Sequence, residues 1–200
     1  VVLICINVRS AYEGFGFMLR DVFFTVSSIV TTTGYSTADF GQWPLFSHII
    51  LLILMIFGAM AGSTAGGLKV SRVAIYFKTS IQSIRHSISP NRATPVNFEG
   101  KARSDSQQRS LSRYLYVYLA VFAGLLLIVS LENTTLITSF SAVAATFNNI
   151  GPGLGVVGPS ANYEQLSNLS TFALTLGMLT GRLEIFPVLV LFSPRTWRKT

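Results

Sequence analysis

Apolar and polar positions along this chain fall into blocks, and the blocks recur in one order. A weakly apolar segment carrying many Ser and Thr residues ends in Thr32-Thr33-Gly34-Tyr35-Ser36. A second, rich in Ser, Thr and Asn, ends in Asn149-Ile150-Gly151-Pro152-Gly153, about 117 positions later. Each is followed by a long apolar run with glycines near its middle, so the chain reads as two copies of a hairpin-like membrane unit. None of Asp, Glu, Lys or Arg occurs from Phe40 to Leu68 or from Asn133 to Tyr163, and about 18 to 20 apolar residues suffice to cross a hydrocarbon core. The predicted spanning helices are Leu45 to Ala61, Tyr114 to Leu131, and Leu166 to Phe192 with its interruption at Arg182 and Glu184. Val1 to Ile6 reads as the tail of a further helix that starts before this chain, because Asn7 and Arg9 end it too soon for a signal peptide.

Phe23 to Tyr35 and Thr138 to Gly151 are too short to span. About 13 helical residues reach ~20 Å, part of the way through a core of ~30 Å. Length alone fits a re-entrant helix or an amphipathic helix at the interface. The glycine-bearing turns favour the first, since a re-entrant helix must return through an irregular strand whose carbonyls need a partner other than lipid.

Composition agrees with a polytopic membrane protein: half the residues are hydrophobic and 12% are charged, with a mean hydropathy of +0.53. Nine of the fifteen basic residues (Lys69, Arg72, Lys78, Arg85, Arg92, Lys101, Arg103, Arg109 and Arg113) lie in one hydrophilic stretch, and Arg195, Arg198 and Lys199 close the chain. The positive-inside rule puts both regions in the cytoplasm and the turns on the outer side. The net charge of +7 therefore requires no nucleic-acid partner. Gln82 to Gln108 reads as a solvated loop, with docking of a partner or anionic lipid as the alternative. Cys5 has no partner for a disulfide or metal site, and His48 and His86 are isolated. Asp21, Asp39, Glu132 and Glu164 are expected near the outer mouth, where they either concentrate cations or form a solvated rim. No catalytic triad or covalent nucleophile is recognisable, so the chain is not read as an enzyme and no catalytic residue is assigned.

The turns carry the chemistry. A selective potassium pore replaces the ion's water shell with a ring of backbone carbonyls. Carbonyls that all point one way require residues that alternate into left-handed conformations, which glycine adopts at little steric cost. Gly34 and Gly151 qualify. Thr32, Thr33, Gly34 and Tyr35 are similar to the Thr-Val-Gly-Tyr-Gly pattern of potassium channels, with Thr33 for Val and Ser36 for the last Gly.

Four motifs together carry a family resemblance: Thr-Thr-Thr-Gly-Tyr-Ser-Thr-Ala-Asp-Phe (31–40), Gly-Ala-Met-Ala-Gly-Ser-Thr-Ala-Gly-Gly-Leu-Lys-Val (58–70), Phe-Asn-Asn-Ile-Gly-Pro-Gly-Leu-Gly (147–155) and Gly-Arg-Leu-Glu-Ile-Phe-Pro-Val (181–188). The chain resembles the Trk/Ktr/HKT superfamily of potassium transporters, and within it the Trk-type pore-forming subunits. The resemblance implies an all-α integral membrane protein built from two helix–pore loop–helix repeats of a four-repeat, potassium-channel-like fold. On that plan, residues 1–80 are the third repeat: a truncated first helix, a pore helix over about 19–32, a filter at 32–36 and a broken returning helix over about 44–80. Residues 81–112 are a cytoplasmic loop. Residues 113–200 are the fourth repeat, with its filter at 149–153 and returning helix over about 165–192. The filter positions carry over to Thr32, Thr33, Gly34, Tyr35, Asn149, Ile150, Gly151 and Pro152, and potassium is expected at Thr32, Thr33, Gly34, Asn149, Ile150 and Gly151. In this superfamily Gly at the key filter position accompanies potassium conduction, and Ser in one repeat accompanies sodium.

The spacing of Gly58, Gly62 and Gly66 fits a glycine face for helix packing. Ser63, Thr64 and the Gly66-Gly67 pair argue instead for a break, since each mid-helix glycine costs ~1 kcal/mol relative to Ala. Unwound backbone at membrane depth needs cover from protein or water, so Ala61 to Gly67 is expected to line the pathway. It is not a nucleotide-binding loop, because Leu68 separates Gly67 from Lys69 and no Ser or Thr follows the lysine. Arg182 lies 31 residues beyond Gly151, and Gly62 to Gly67 lie 28 to 33 beyond Gly34, so both are expected at one depth. The resemblance implies a gate formed by Gly62, Ser63, Thr64, Ala65, Gly66, Gly67 and Arg182, with a purely structural arginine as the alternative.

The reading is potassium uptake across a bacterial cytoplasmic membrane by a multi-pass protein. Potassium is the substrate, and no cofactor is expected in this chain. Implied partners are membrane lipid, the two N-terminal repeats of the same protein, a second copy in a homodimer and a cytoplasmic RCK-type nucleotide-binding subunit. A sodium-coupled or sodium-conducting relative and a non-transporting scaffold are the alternatives.

Overall fold

The computed structural model describes residues 1–58, 66–88, 97–98, 101–102, 105–183 and 185–191. Its first unit comprises α1 (Val2–Val8), α2 (Phe15–Val30), a 3-10 turn at Phe40–Gln42, α3 (Leu45–Ile56), the two-residue strands β1 (Phe57–Gly58) and β2 (Leu68–Lys69), and α4 (Val70–Ile88). After the short hairpin β3 (Asn97–Phe98) and β4 (Lys101–Ala102), the second unit repeats this order. It comprises α5 (Asp105–Ser130), α6 (Leu136–Phe147), a 3-10 turn at Gly155–Val157, α7 (Asn168–Arg182) and α8 (Ile185–Leu191).

One apolar core runs through both units. Ile4, Val8, Met18, Val22, Leu51 and Met55 supply the first part, and Tyr118, Phe122, Val129, Ala142, Phe147 and Leu174 the second. Helix α6 packs against α5, α7 and α3, whereas α2 packs against α1 and α3. Tyr118 lies 4.9 Å from the Phe147 ring and Phe122 lies 5.2 Å from Phe140, measured between centroids. Polar ties join elements where water is excluded: the Ser47 hydroxyl on α3 donates to Asn7 Oδ1 at 2.8 Å. The N-termini of α6 and α7 are capped by Thr135 and Ser167, whose hydroxyls accept from Thr138 N and Ser170 N.

Several boundaries differ from the sequence reading. The first short helix begins at Phe15, earlier than 19, because Gly14 in extended conformation starts it and the charged Arg20-Asp21 pair sits within its body. In the run expected from 45 to 61, α3 ends at Ile56; Phe57 turns extended and β1 pairs in parallel with β2, Phe57 opposite Leu68 and Gly58 opposite Lys69, and 59–61 lie outside the described residues. The run from 166 to 192 is divided into α7 and α8. Among the described residues, Leu111–Ser130 is the one stretch of helix long and apolar enough to cross a membrane by itself. The hydrophilic stretch 81–112 is not all loop: α4 continues to Ile88 and α5 begins at Asp105. Phe77, Ile81, Ile84 and Ile88 recur at helical spacing there, a signal that the Ser- and Asn-rich composition masked.

Candidate functional site: two glycine turns

Both short helices end in the same hydrogen-bonded turn. After α2, Thr31 N donates to Ser27 O, Thr32 N to Ile29 O and Thr33 N to Ser28 O, at 2.9, 3.1 and 2.9 Å. After α6, Asn148 N donates to Ala144 O, Asn149 N to Thr146 O and Ile150 N to Ala145 O, at 3.2, 3.0 and 2.8 Å. These are the same three bonds moved along the chain, and they form a Schellman-type helix end with its next residue left-handed. That residue is Thr32 at φ 55° in one unit and Asn149 at φ 58° in the other. Two residues on, Gly34 has φ 80° and Gly151 has φ 110°, while Thr33 and Ile150 between them do not have positive φ. Each turn therefore alternates in backbone handedness over three residues, the pattern that lets successive carbonyls share a side.

The turns face each other. A Cβ on Gly34 would overlap the Ile150 carbonyl oxygen and lie 3.2 Å from Pro152 Cδ, so glycine is required there by contact as well as by φ. Gly151 has open space where its Cβ would be. Its carbonyl accepts a 2.7 Å hydrogen bond from the Tyr163 hydroxyl.

Each unit also clips its descending chain to its short helix. In the first, the Thr37 hydroxyl donates to Asp21 Oδ1 at 3.0 Å, and Arg20 Nε donates to the same oxygen at 3.1 Å. Asp21 is 6% exposed, a buried acceptor rather than either the cation-concentrating or the solvated rim charge of the sequence reading. In the second, Leu154 N donates to Ser141 Oγ at 2.8 Å. Two of the other acids also serve structure. Asp39 caps the 3-10 turn through Gly41 N, and Glu132 accepts from both the amide and the hydroxyl of Ser167 at 2.8 and 2.6 Å. Glu132 lies beyond the end of α5, and the Ser167 bonds hold its carboxyl below the usual carboxylate range. His48 Nε2 bonds the Phe40 carbonyl at 2.8 Å.

The base of the second turn meets both interrupted helices. Gly66 and Gly67 (φ 82°) lie against Asn148: a Cβ on the first would press on its carbonyl, and one on the second would come within 3.0 Å of its Oδ1. Asn148 is fully buried and its Oδ1 accepts from the Tyr118 hydroxyl at 2.9 Å. Gly181 abuts the Phe147 carbonyl, and Asn149 Nδ2 donates to Met178 O at 3.2 Å. Arg182, the last residue of α7, follows directly and is exposed.

Thus Gly34, Ile150 and Pro152 come together, as do Gly66, Gly67 and the residues leading into the second turn, while Tyr35 is 72% exposed. Gly62, Ser63, Thr64, Ala65 and Glu184 lie outside the described residues. Sequence reasoning passed over Asn148, Tyr118 and Tyr163. Asn148 aligns with Thr31 rather than with a filter position. Tyr163 lies in a segment that the first unit lacks.

The fold is that of a helical membrane transporter. It covers 98% of this chain and 42% of the matched chain in the crystal structure of the potassium transporter TrkH from Vibrio parahaemolyticus, at a TM-score of 0.87 and 31% identity. Over 202 residues the chain is 34% identical to the Trk system potassium uptake protein TrkH of Salmonella typhimurium, spanning 100% of this chain and 41% of the relative. It is 37% identical over 181 residues to TrkH of Halomonas elongata, spanning 90% of this chain and 37% of that relative. The family described as TrkH, cation transport protein, matches residues 15–199. The chain belongs to that family, whose place is the bacterial inner membrane, and it spans about two fifths of the length of these relatives.

Proposed function

We propose that this chain forms half of a potassium-uptake pore, in which the carbonyls of Thr32, Thr33, Gly34, Asn149, Ile150 and Gly151 replace the water shell of a passing potassium ion. The observation that carries the reading is the matched pair of left-handed positions, 32 with 34 and 149 with 151, in two turns that touch. Ion pores need such consecutive carbonyls turned to one side, and a scaffold that packed through its glycines would have no use for this alternation. The relatives named as potassium transporters support the choice of ion, as does glycine at both key positions. Tyr35 and Pro152 extend the filter outward in this reading.

Gating is assigned to Gly62, Ser63, Thr64, Ala65, Gly66 and Gly67 together with Arg182. Gly66 and Gly67 adjoin the base of the second turn, and Arg182 follows the glycine that abuts it. A cation on this segment opposes passage of a like charge when the gate is closed. The remaining half of the filter comes from two N-terminal repeats. The assembly comprises a homodimer and a cytoplasmic RCK-type subunit, in keeping with the "Trk system" name of the relatives.

The test is growth of an uptake-deficient bacterium at low potassium, expressing the full-length parent with its regulatory partner. Rescue is expected from the parent and is expected to be lost in Gly34→Ser and in Gly151→Ser at normal membrane levels. Rescue by both variants would reject the filter. Arg182→Ala is expected to raise leak conductance, and unchanged flux from a folded variant would remove Arg182 from the gate.

A further inference from the structure

The two turns share a backbone plan, but the chain beyond them does not. In the first unit the 3-10 turn is followed by Trp43 and Pro44 and then α3; in the second, residues 158–167 intervene before α7. Tyr163 belongs to this added segment and has no counterpart in the first unit. Its position is built: Glu164 N donates to Asn162 Oδ1 at 3.2 Å, an Asx turn around it, and Leu166 N donates to its carbonyl at 3.1 Å. The ring packs against the core, and the hydroxyl reaches the Gly151 carbonyl at 2.7 Å beside a cavity of about 200 Å³ that Asn149, Ile150 and Met178 help to line.

We propose that Tyr163 is a positioning residue for ion selectivity, restraining the Gly151 carbonyl so that this level of the pore fits potassium and not sodium. The proposal rests on the reading of 149–151 as filter. A hydroxyl donor occupies one lone pair of the carbonyl and fixes its direction. Without the donor, the carbonyl gains freedom to close on a smaller ion and recovers its second lone pair for it. Both changes favour sodium, whether selectivity comes from cavity size or from the field of the carbonyls.

The experiment uses the full-length parent reconstituted in lipid vesicles, with potassium-to-sodium permeability ratios taken from reversal potentials. Tyr163→Phe removes the donor and keeps the ring. It is expected to conduct potassium with a ratio reduced about three- to tenfold, the range set by one neutral hydrogen bond. Placing 3-fluorotyrosine at 163, a stronger donor of nearly the same shape, is expected to raise the ratio above that of the parent. A potassium-selective parent whose ratio is unchanged in Tyr163→Phe would overturn the role of Tyr163 and leave the filter standing. If Tyr163→Phe did not fold, a ratio insensitive to fluorination would overturn it equally. A parent that passes no potassium would reject the filter itself, and this proposal with it.

Discussion

The two units reach one backbone geometry by different means. In the second, α6 is enclosed beyond its first two residues, with every residue from Thr138 to Phe147 buried or nearly so, and the turn it feeds is tied to α5 through Tyr118, to α7 through Met178 and to the added segment through Tyr163. In the first, α2 buries one stripe, Met18, Asp21, Val22, Thr25, Ser28 and Ile29, and its turn depends on local bonds and the Asp21–Thr37 clip. Its left-handed residue is Thr32, a β-branched side chain at a φ that favours glycine or asparagine. The second turn is held from outside, and the first holds itself.

That contrast can be broken at the glycines. Gly34→Ala combines a left-handed alanine with overlap of the Ile150 carbonyl and is expected to cost about 3 kcal/mol or more, whereas Gly151→Ala meets open space and is expected to cost about 1–2 kcal/mol. Thermal unfolding of the full-length variants in detergent ranks them, and equal losses would mean that the turns do not touch. Asn148→Ala strips the buried Tyr118 hydroxyl of its acceptor and is expected to cost about 1–3 kcal/mol in the same assay. Its counterpart Thr31→Ala, at an exposed position, is expected to change stability by less than about 1 kcal/mol.

Smaller effects sharpen the comparison. Thr32→Asn gives the first turn the residue of the second, and relief at positive φ is expected to stabilise the protein by roughly 0.5–1 kcal/mol. The smallest effect is electrostatic. The Glu132 carboxyl, held below its ordinary range by Ser167, contributes stability that is complete above the unfolded value and lost as pH falls through the lower folded value. Acidification through that lower folded value is therefore expected to speed amide hydrogen exchange at Asn168 to Ser170 relative to the intrinsic rate at each pH. Glu132→Gln is expected to speed it at neutral pH. The first residues of α3, whose N-cap Pro44 has no side-chain cap bond, are expected not to change.

Much of this was legible in the chain. Charge-free windows, short Ser- and Thr-rich segments and glycine turns announced the two units, because period and polarity are local properties. What escaped depended on contacts across the fold. Asp21 reads as a surface acid until Thr37 and Arg20 are seen to reach it, and α3 reads as continuous until β2 is seen to pair with β1. Tyr163 gave no signal, because comparing one repeat with the other hides whatever only one of them has.

The contact between Gly34 and Ile150 joins residues more than a hundred positions apart, and this sets an order of events during synthesis. At roughly 5–20 residues per second, the second turn emerges on the order of ten seconds after the first. Through that interval the site consists of the first turn's own hydrogen bonds, each spanning no more than five residues along the chain. The turn that holds itself is also the turn that must wait.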